Sequence, residues 1–95
     1  MSRISAGDRP RLARRARLRL DELSRAHVLL SPERGLVLNE PAAAILRLCA
    51  DDRTVEQIAQ QLATGAPLER VRSDVIELLS ELRARRLIEI EAGAA

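Results

Sequence analysis

Apolar positions in the first half of the chain come in short runs separated by strong punctuation. Val28-Leu29-Leu30 and Leu36-Val37-Leu38 flank the five-residue turn Ser31-Pro32-Glu33-Arg34-Gly35, and Asn39-Glu40-Pro41 follows at once. This pattern predicts a β-hairpin, with Pro32 fixing φ early in the turn and Gly35 free to supply a positive φ at its close. Asn39 is suited to cap a helix whose first turn holds Glu40 and Pro41. Upstream, Arg17-Leu18-Arg19-Leu20-Asp21 alternates with the period of a half-buried strand.

After Asn39 the period changes. Ala42, Ile45, Leu46 and Cys49 fall at i, i+3, i+4 and i+7, one face of a first helix that ends at Asp51-Asp52-Arg53. Thr54-Val55-Glu56-Gln57 fits a capping box, and Val55, Ile58, Ala59 and Leu62 repeat the helical spacing. Thr64-Gly65-Ala66-Pro67 stops that second helix and opens a third. Val71, Val75, Leu78, Leu79 and Leu82 form its apolar stripe, to about Ala84. Leu87-Ile88-Glu89-Ile90-Glu91 alternates again, as a short final strand or an extended tail. Residues 1–16 are polar and Arg-rich, and Pro10 keeps the start extended. Strands clustered ahead of helices predict an α+β domain. The expected architecture is winged helix-turn-helix-like, a short three-stranded antiparallel sheet followed by three helices.

Composition sharpens this picture. Ninety-five residues suffice for one domain with a modest core. That core is aliphatic, since the chain has no Phe, Tyr or Trp. Aromatic anchors are therefore missing from any interface, and aromatic platforms from any base-stacking surface. The basic residues are all Arg; without Lys there is neither a Schiff-base lysine nor a P-loop lysine. The net charge of +2 is unevenly spread, with seven Arg against Asp8 alone in residues 1–20. Such a basic arm suits an acidic partner or a solvated tail. The longest unbroken apolar run, Ala42–Leu46, is far too short to span a bilayer, and no signal-peptide core is present. A cytoplasmic protein is expected.

The chemistry-bearing residues are sparse. His27 is the single histidine and borders the hairpin, with only scattered carboxylates to join it as ligands. Cys49 is the single cysteine, so no disulfide framework or thiolate cluster can form, and its place on an apolar helix face suits a buried structural thiol. Glu33 suits a turn and Asp74 a solvated helix flank, so nothing pairs them for acid–base work. No Gly-rich phosphate loop and no nucleophile elbow occurs. A non-catalytic protein without metal or cofactor is expected.

Two binding modes remain. A winged helix would offer its third helix to the DNA major groove, where Arg, Lys, Asn and Gln do the reading. Residues 68–83 carry four acids against three Arg and contain no Asn or Gln, which disfavours that DNA-binding regulator. The other mode is strand addition, in which a peptide completes the ladder of an exposed edge and sends alternate side chains into pockets. Leu36–Leu38 would supply the edge and the third helix would wall the groove. An exposed edge also permits pairing between two copies of the chain, so a homodimer is a further expectation.

Several of these segments together resemble the PqqD family of pyrroloquinoline quinone biosynthesis proteins. The resemblance lies in Leu29-Leu30-x-Pro32-Glu33, Leu38-Asn39, Ala43-x-Ile45-Leu46, Thr54-Val55-x-x-Ile58, and Asp74-Val75 with Leu79 and Leu82. Arg9-Pro10-Arg11-Leu12 and Arg17-Leu18 are similar to the family's opening segment. It spans about residues 9–88, and the order and spacing of the segments carry it.

The resemblance implies a peptide chaperone that binds the precursor peptide PqqA and presents it to the radical S-adenosylmethionine enzyme PqqE, which holds the iron–sulfur clusters. The leader would lie as an added strand against the hairpin's second strand and the third helix. On that analogy Leu36, Val37 and Leu38 form the ladder and its pockets. Val71, Asp74, Val75 and Leu78 line the helix side, and Arg70 and Arg72 meet peptide carboxylates. Residues 9–91 would be the domain, with a flexible basic tail at 1–8 and a short tail at 92–95. Asp52 and Arg86 stand where related sequences often carry Gly, so the turns there would differ.

Overall fold

The computed structural model describes residues 3–93. Five strands and three helices follow in the order β1 (Arg9–Leu12), β2 (Arg17–Leu20), β3 (His27–Leu30), β4 (Gly35–Leu38), α1 (Glu40–Cys49), α2 (Val55–Leu62), α3 (Leu68–Ala84) and β5 (Ile88–Glu91). The three-stranded antiparallel sheet β2-β3-β4 followed by three helices is the expected α+β arrangement. A second, two-stranded sheet joins β1 to β5, and β1 lies in an Arg-rich segment where Pro10 argues against a paired strand.

Pairing explains how Pro10 sits inside a strand. Ala13 N–H donates to Leu87 O at 2.9 Å, and the register places Arg9 opposite Glu91. Antiparallel ladders bond every second residue, so Arg9 and Arg11 face β5 with their amides while Pro10, with no N–H, faces away.

The helix starts are built as the sequence predicts. Asn39 Oδ1 accepts from Ala42 N–H at 2.9 Å, and Thr54 and Gln57 exchange both bonds of the capping box, at 2.9 and 3.1 Å. Left-handed backbone at non-glycine residues occurs at Arg25 in the β2–β3 connection, with φ of 63°, and at two helix ends. Asp52 after α1 and Arg86 after α3 take φ of 55° and 61°, the left-handed region that glycine fills at least cost. At Arg86 the full Schellman geometry is present: Leu87 N–H donates to Leu82 O and Arg86 N–H to Arg83 O, each at 2.9 Å. The buried side chains of Leu82 and Leu87 bracket the turn. Gly35, by contrast, takes no positive φ and lies within β4. The hairpin instead closes through Ser31 N–H donating to Arg34 O at 2.9 Å. A Cβ at Gly35 would press on Leu30 Cδ2 at 3.2 Å, so its smallness serves packing on the sheet's outer face.

The core is wholly aliphatic apart from Cys49. Leu29, Leu46, Val55, Ile58, Val75, Leu79 and Leu82 are fully enclosed, with Leu36, Val71 and Leu78 packed against them. Burial pushes the Cys49 thiol up to about 12, so it stays protonated and serves as a small hydrophobe. The expected flexible tail is docked within the described residues. Ile4 belongs to the core, Ala6 O accepts from Glu56 N–H, and Asp8 O accepts from Val55 N–H, each at 2.9 Å. Residues 1–2 and 94–95, at the outer ends of the two expected tails, lie outside the described residues. No helix among the described residues is long and apolar enough to cross a membrane.

Candidate functional site: an open strand edge beside the third helix

Hydrogen-bond parity decides what each strand of the larger sheet offers. Ser31–Arg34 is a bonded pair, and so is Asp21–Ala26, whose N–H to O distance is 2.8 Å. Counting along the registers by twos, Val28 and Leu30 of β3 bond to β2, whereas His27 and Leu29 bond to Leu38 and Leu36 of β4. The N–H and C=O groups of Gly35 and Val37 therefore point away from β3, along an edge on which no strand is paired. Side chains follow the opposite division. Leu36 and Leu38 turn into the core, and Val37 stands out with 70% of its surface exposed.

The sheet's other edge is β2, Arg17-Leu18-Arg19-Leu20, where the outward-facing amides belong to Leu18 and Leu20. Charged side chains are the usual means of discouraging a free edge from pairing. β2 carries two arginines, β1 two arginines and a proline, and β5 two glutamates. β4 is Gly-Leu-Val-Leu and carries no such guard.

α3 runs beside this edge in the opposite direction. At one end the hairpin turn, Ser31–Arg34, shares a hollow with Arg85–Leu87 beyond α3. At the other end Pro41, Ala44 and Ile45 of α1 share a hollow of about 280 Å³ with Leu62 and with Val71, Asp74 and Val75 of α3. Both intervening runs, Arg34 to Pro41 and Val71 to Arg85, are about 20 Å long by strand and helix rise. α3 packs chiefly on α2 and β5, so the open edge of β4 is not covered by close packing of that helix.

The structure brings three of the sequence-predicted residues together in one hollow and leaves the others on neighbouring surfaces. Val71, Asp74 and Val75 meet in the hollow at one end, and Leu78 continues the same helical stripe one turn on. Leu36 and Leu38 reach the shared core from the strand side, while Val37 lends backbone. Arg70 is exposed and lies outside the hollow's lining. Arg72 is a correction: it donates bidentately to Glu56, with Nη2–Oε1 at 2.8 Å, and so ties α3 to α2. Those hydrogen bonds hold the Glu56 carboxyl below its ordinary range. Sequence reasoning missed Pro41, Ala44, Ile45 and Leu62. The first three fall at i, i+3 and i+4, a second helical stripe beside the core stripe of α1.

The other chemical candidates are accounted for. His27 Nε2 lies 3.1 Å from Arg47 Nη1, and no group of three metal-ligating side chains occurs among the described residues. Several arginines of the basic arm are engaged locally. Arg9 donates to Asp52 O at 2.9 Å, and Arg11 sits 3.7 Å from both Glu89 and Glu91.

Comparison with known proteins fits this geometry. The family model for coenzyme PQQ synthesis protein D matches residues 26–88. The chain is 41% identical over 88 residues to the bifunctional coenzyme PQQ synthesis protein C/D of Methylorubrum extorquens, covering 90% of this chain and 24% of that longer protein. It is also 41% identical to a Bradyrhizobium diazoefficiens protein named PqqA binding protein, covering 83% of this chain and 79% of the other. Among solved structures, the PqqD portion of Methylobacterium extorquens PqqCD superposes with a TM-score of 0.79 at 41% identity, covering 90% of this chain and 94% of that one. That structure is described as a stand-alone recognition element for ribosomally synthesized, post-translationally modified peptides. A lasso peptide synthetase B1 solved with its leader peptide shares the fold, with a TM-score of 0.75 at 20% identity over 85% of this chain and 98% of that one. Its architecture, its matched segment and these relatives together place the chain in the PqqD family.

Proposed function

We propose that this chain is a non-catalytic recognition module of pyrroloquinoline quinone biosynthesis. It binds the precursor peptide PqqA as an added strand on β4 and presents it to the radical S-adenosylmethionine enzyme PqqE. The observation that carries this reading is the unguarded edge: Gly35 and Val37 offer backbone donors and acceptors on a side of the sheet where no strand is paired. The names of the relatives, PqqA binding protein and peptide recognition element, support the ligand class.

In this mode the ladder supplies affinity and the groove supplies selectivity. Alternate side chains of the peptide fall over Leu36 and Leu38 on the strand side and over Val71, Asp74, Val75 and Leu78 on the helix side. Pro41, Ala44 and Ile45 close the end of the groove. Arg70, at the rim, faces peptide carboxylates. Ordering a flexible peptide consumes about 2–5 kcal/mol of the gross interaction energy, so binding stays reversible and the cargo can be released. Without a cofactor of its own, the chain contributes position and leaves the chemistry to its partner. The same edge makes homodimer formation compete with peptide.

Titration of isotope-labelled protein with a synthetic PqqA precursor tests the reading. Amide shifts concentrated at residues 35–39 and 70–78 are expected. Saturating peptide without shifts there, together with salt-dependent retention on duplex DNA, would replace it with the winged-helix regulator.

A further inference from the structure

The groove has a charged end that strand addition alone does not explain. The hollow at the β3–β4 turn, about 630 Å³, is lined by four arginines: Arg15 from the β1–β2 connection, Arg34 from the turn, and Arg85 and Arg86 beyond α3. Glu33 is the one acid in its wall. Arg85 is occupied by Glu81 at 3.3 Å, whereas Arg15, Arg34 and Arg86 make no side-chain ion pair among the described residues. Three arginines from three separate segments thus line one hollow with little acid to balance them.

Arg86 supplies a second observation. It occupies the C′ position of the Schellman motif at φ 61°, where glycine is the ordinary residue. A non-glycine residue there carries a backbone penalty. Its side chain is exposed, so no packing offsets that penalty. The same conformation recurs at Arg25 and Asp52, so it is the place of Arg86 in the hollow's wall, and not its backbone, that bears on binding.

Position gives the ligand. Arg34 immediately precedes Gly35, the first residue with outward-facing amides, so a strand lying on β4 that continues past Gly35 comes to the turn whose residues wall this hollow. We infer that the arginine hollow at the hairpin turn takes an Asp or Glu side chain of the bound peptide, and that this contact sets the peptide's direction and register on β4. The inference rests on the strand-addition reading. A bound leader continues into the segment to be modified, so a side-chain carboxylate, rather than a chain terminus, is the group that reaches the arginines. Planar guanidiniums match carboxylates in bidentate geometry and are only weakly hydrated. Ladder hydrogen bonds are the same for every sequence, whereas an anchored carboxylate distinguishes one register from its neighbours by two residues.

The test uses the whole chain and a fluorescent synthetic PqqA precursor from Bradyrhizobium diazoefficiens, alongside the same peptide with every Asp and Glu changed to Asn and Gln. At low salt the neutralised peptide should bind about ten-fold more weakly, and the gap should close as ionic strength rises to about 0.5 M. Arg34→Glu and Arg86→Gly should each weaken the native peptide and leave the neutralised one unchanged. Arg86→Gly should do so while raising the thermal midpoint, which a merely structural role would not produce. Amidating the peptide's own C-terminus should change nothing. Equal affinity for both peptides, with the Val37 amide still shifting, overturns the carboxylate site and leaves strand addition standing. Loss of binding only on terminal amidation overturns it in favour of end capture. No shift at Val37 with any peptide removes strand addition, and this inference falls with it.

Discussion

The two edges of the three-stranded sheet have the same length, four residues each, yet opposite exteriors. β2 alternates leucine with arginine, so anything approaching its outward amides meets Arg17 and Arg19. β4 presents Gly35 and Val37 with no charge and no proline. Stability does not require that difference, because the core draws on β4 through Leu36 and Leu38 and on β2 through Leu18. Guarding one edge and leaving the other bare bears on what may pair with the sheet, and it is the reason the proposed docking side is β4.

The comparison breaks most visibly under a matched pair of prolines. Val37→Pro and Leu20→Pro each remove an outward-facing amide without touching a bond inside the sheet. Val37→Pro should lower PqqA affinity at least about ten-fold, through one lost hydrogen bond and the ring's bulk, while Leu20→Pro leaves it unchanged. Fluorescence titration of the two folded variants measures this. A division within β4 itself comes next. Leu38, 8% exposed, should lose about 2–5 kcal/mol of stability on truncation to Ala, whereas Val37→Ala changes stability little; denaturant unfolding separates them.

Much of this arrangement was legible in the residues, and the gaps have physical causes. Periodicity located all three helices and the hairpin because each buries one face against a common core. Capping chemistry placed two helix starts to the residue. β1 escaped because Pro10 reads as a break until the parity of its ladder with β5 is known. Gly35 misled for a related reason: turn composition does not say which residue absorbs the positive φ, and here none in the hairpin does. Asp52 and Arg86 were flagged as sites where glycine would be expected, and both adopt the conformation that explains glycine there. Of the proposed site, the α3 stripe and the β4 edge could be read from spacing. The closing contribution of Pro41 and Ala44, and the withdrawal of Arg72 toward Glu56, depend on how helices pack.

Two smaller effects sharpen the separation of scaffold from site. Asp52→Gly should stabilise the fold by about 0.5–1 kcal/mol by relieving a left-handed residue far from the groove, without altering peptide binding. Calorimetry and titration together check both halves. The Arg72–Glu56 link should matter to stability alone, and its contribution should be lost only in acid. Hydrogen bonds from Arg72 depress the Glu56 carboxyl, so its ionised form is favoured by folding. That contribution is complete above the ordinary glutamate value near about 4.3 and fades as pH falls through the depressed one. Glu56→Gln should flatten this acid limb of the stability profile and leave peptide affinity at neutral pH intact.

The central claim is that peptide bonds to the backbone of β4, and amide hydrogen exchange at single residues examines it most directly. On saturation with PqqA precursor, the amides of Gly35 and Val37 should become strongly protected while those of Leu18 and Leu20 exchange as in the free protein. Protection along β2 with Val37 unchanged, or protection at neither edge in a demonstrably bound complex, would contradict the account.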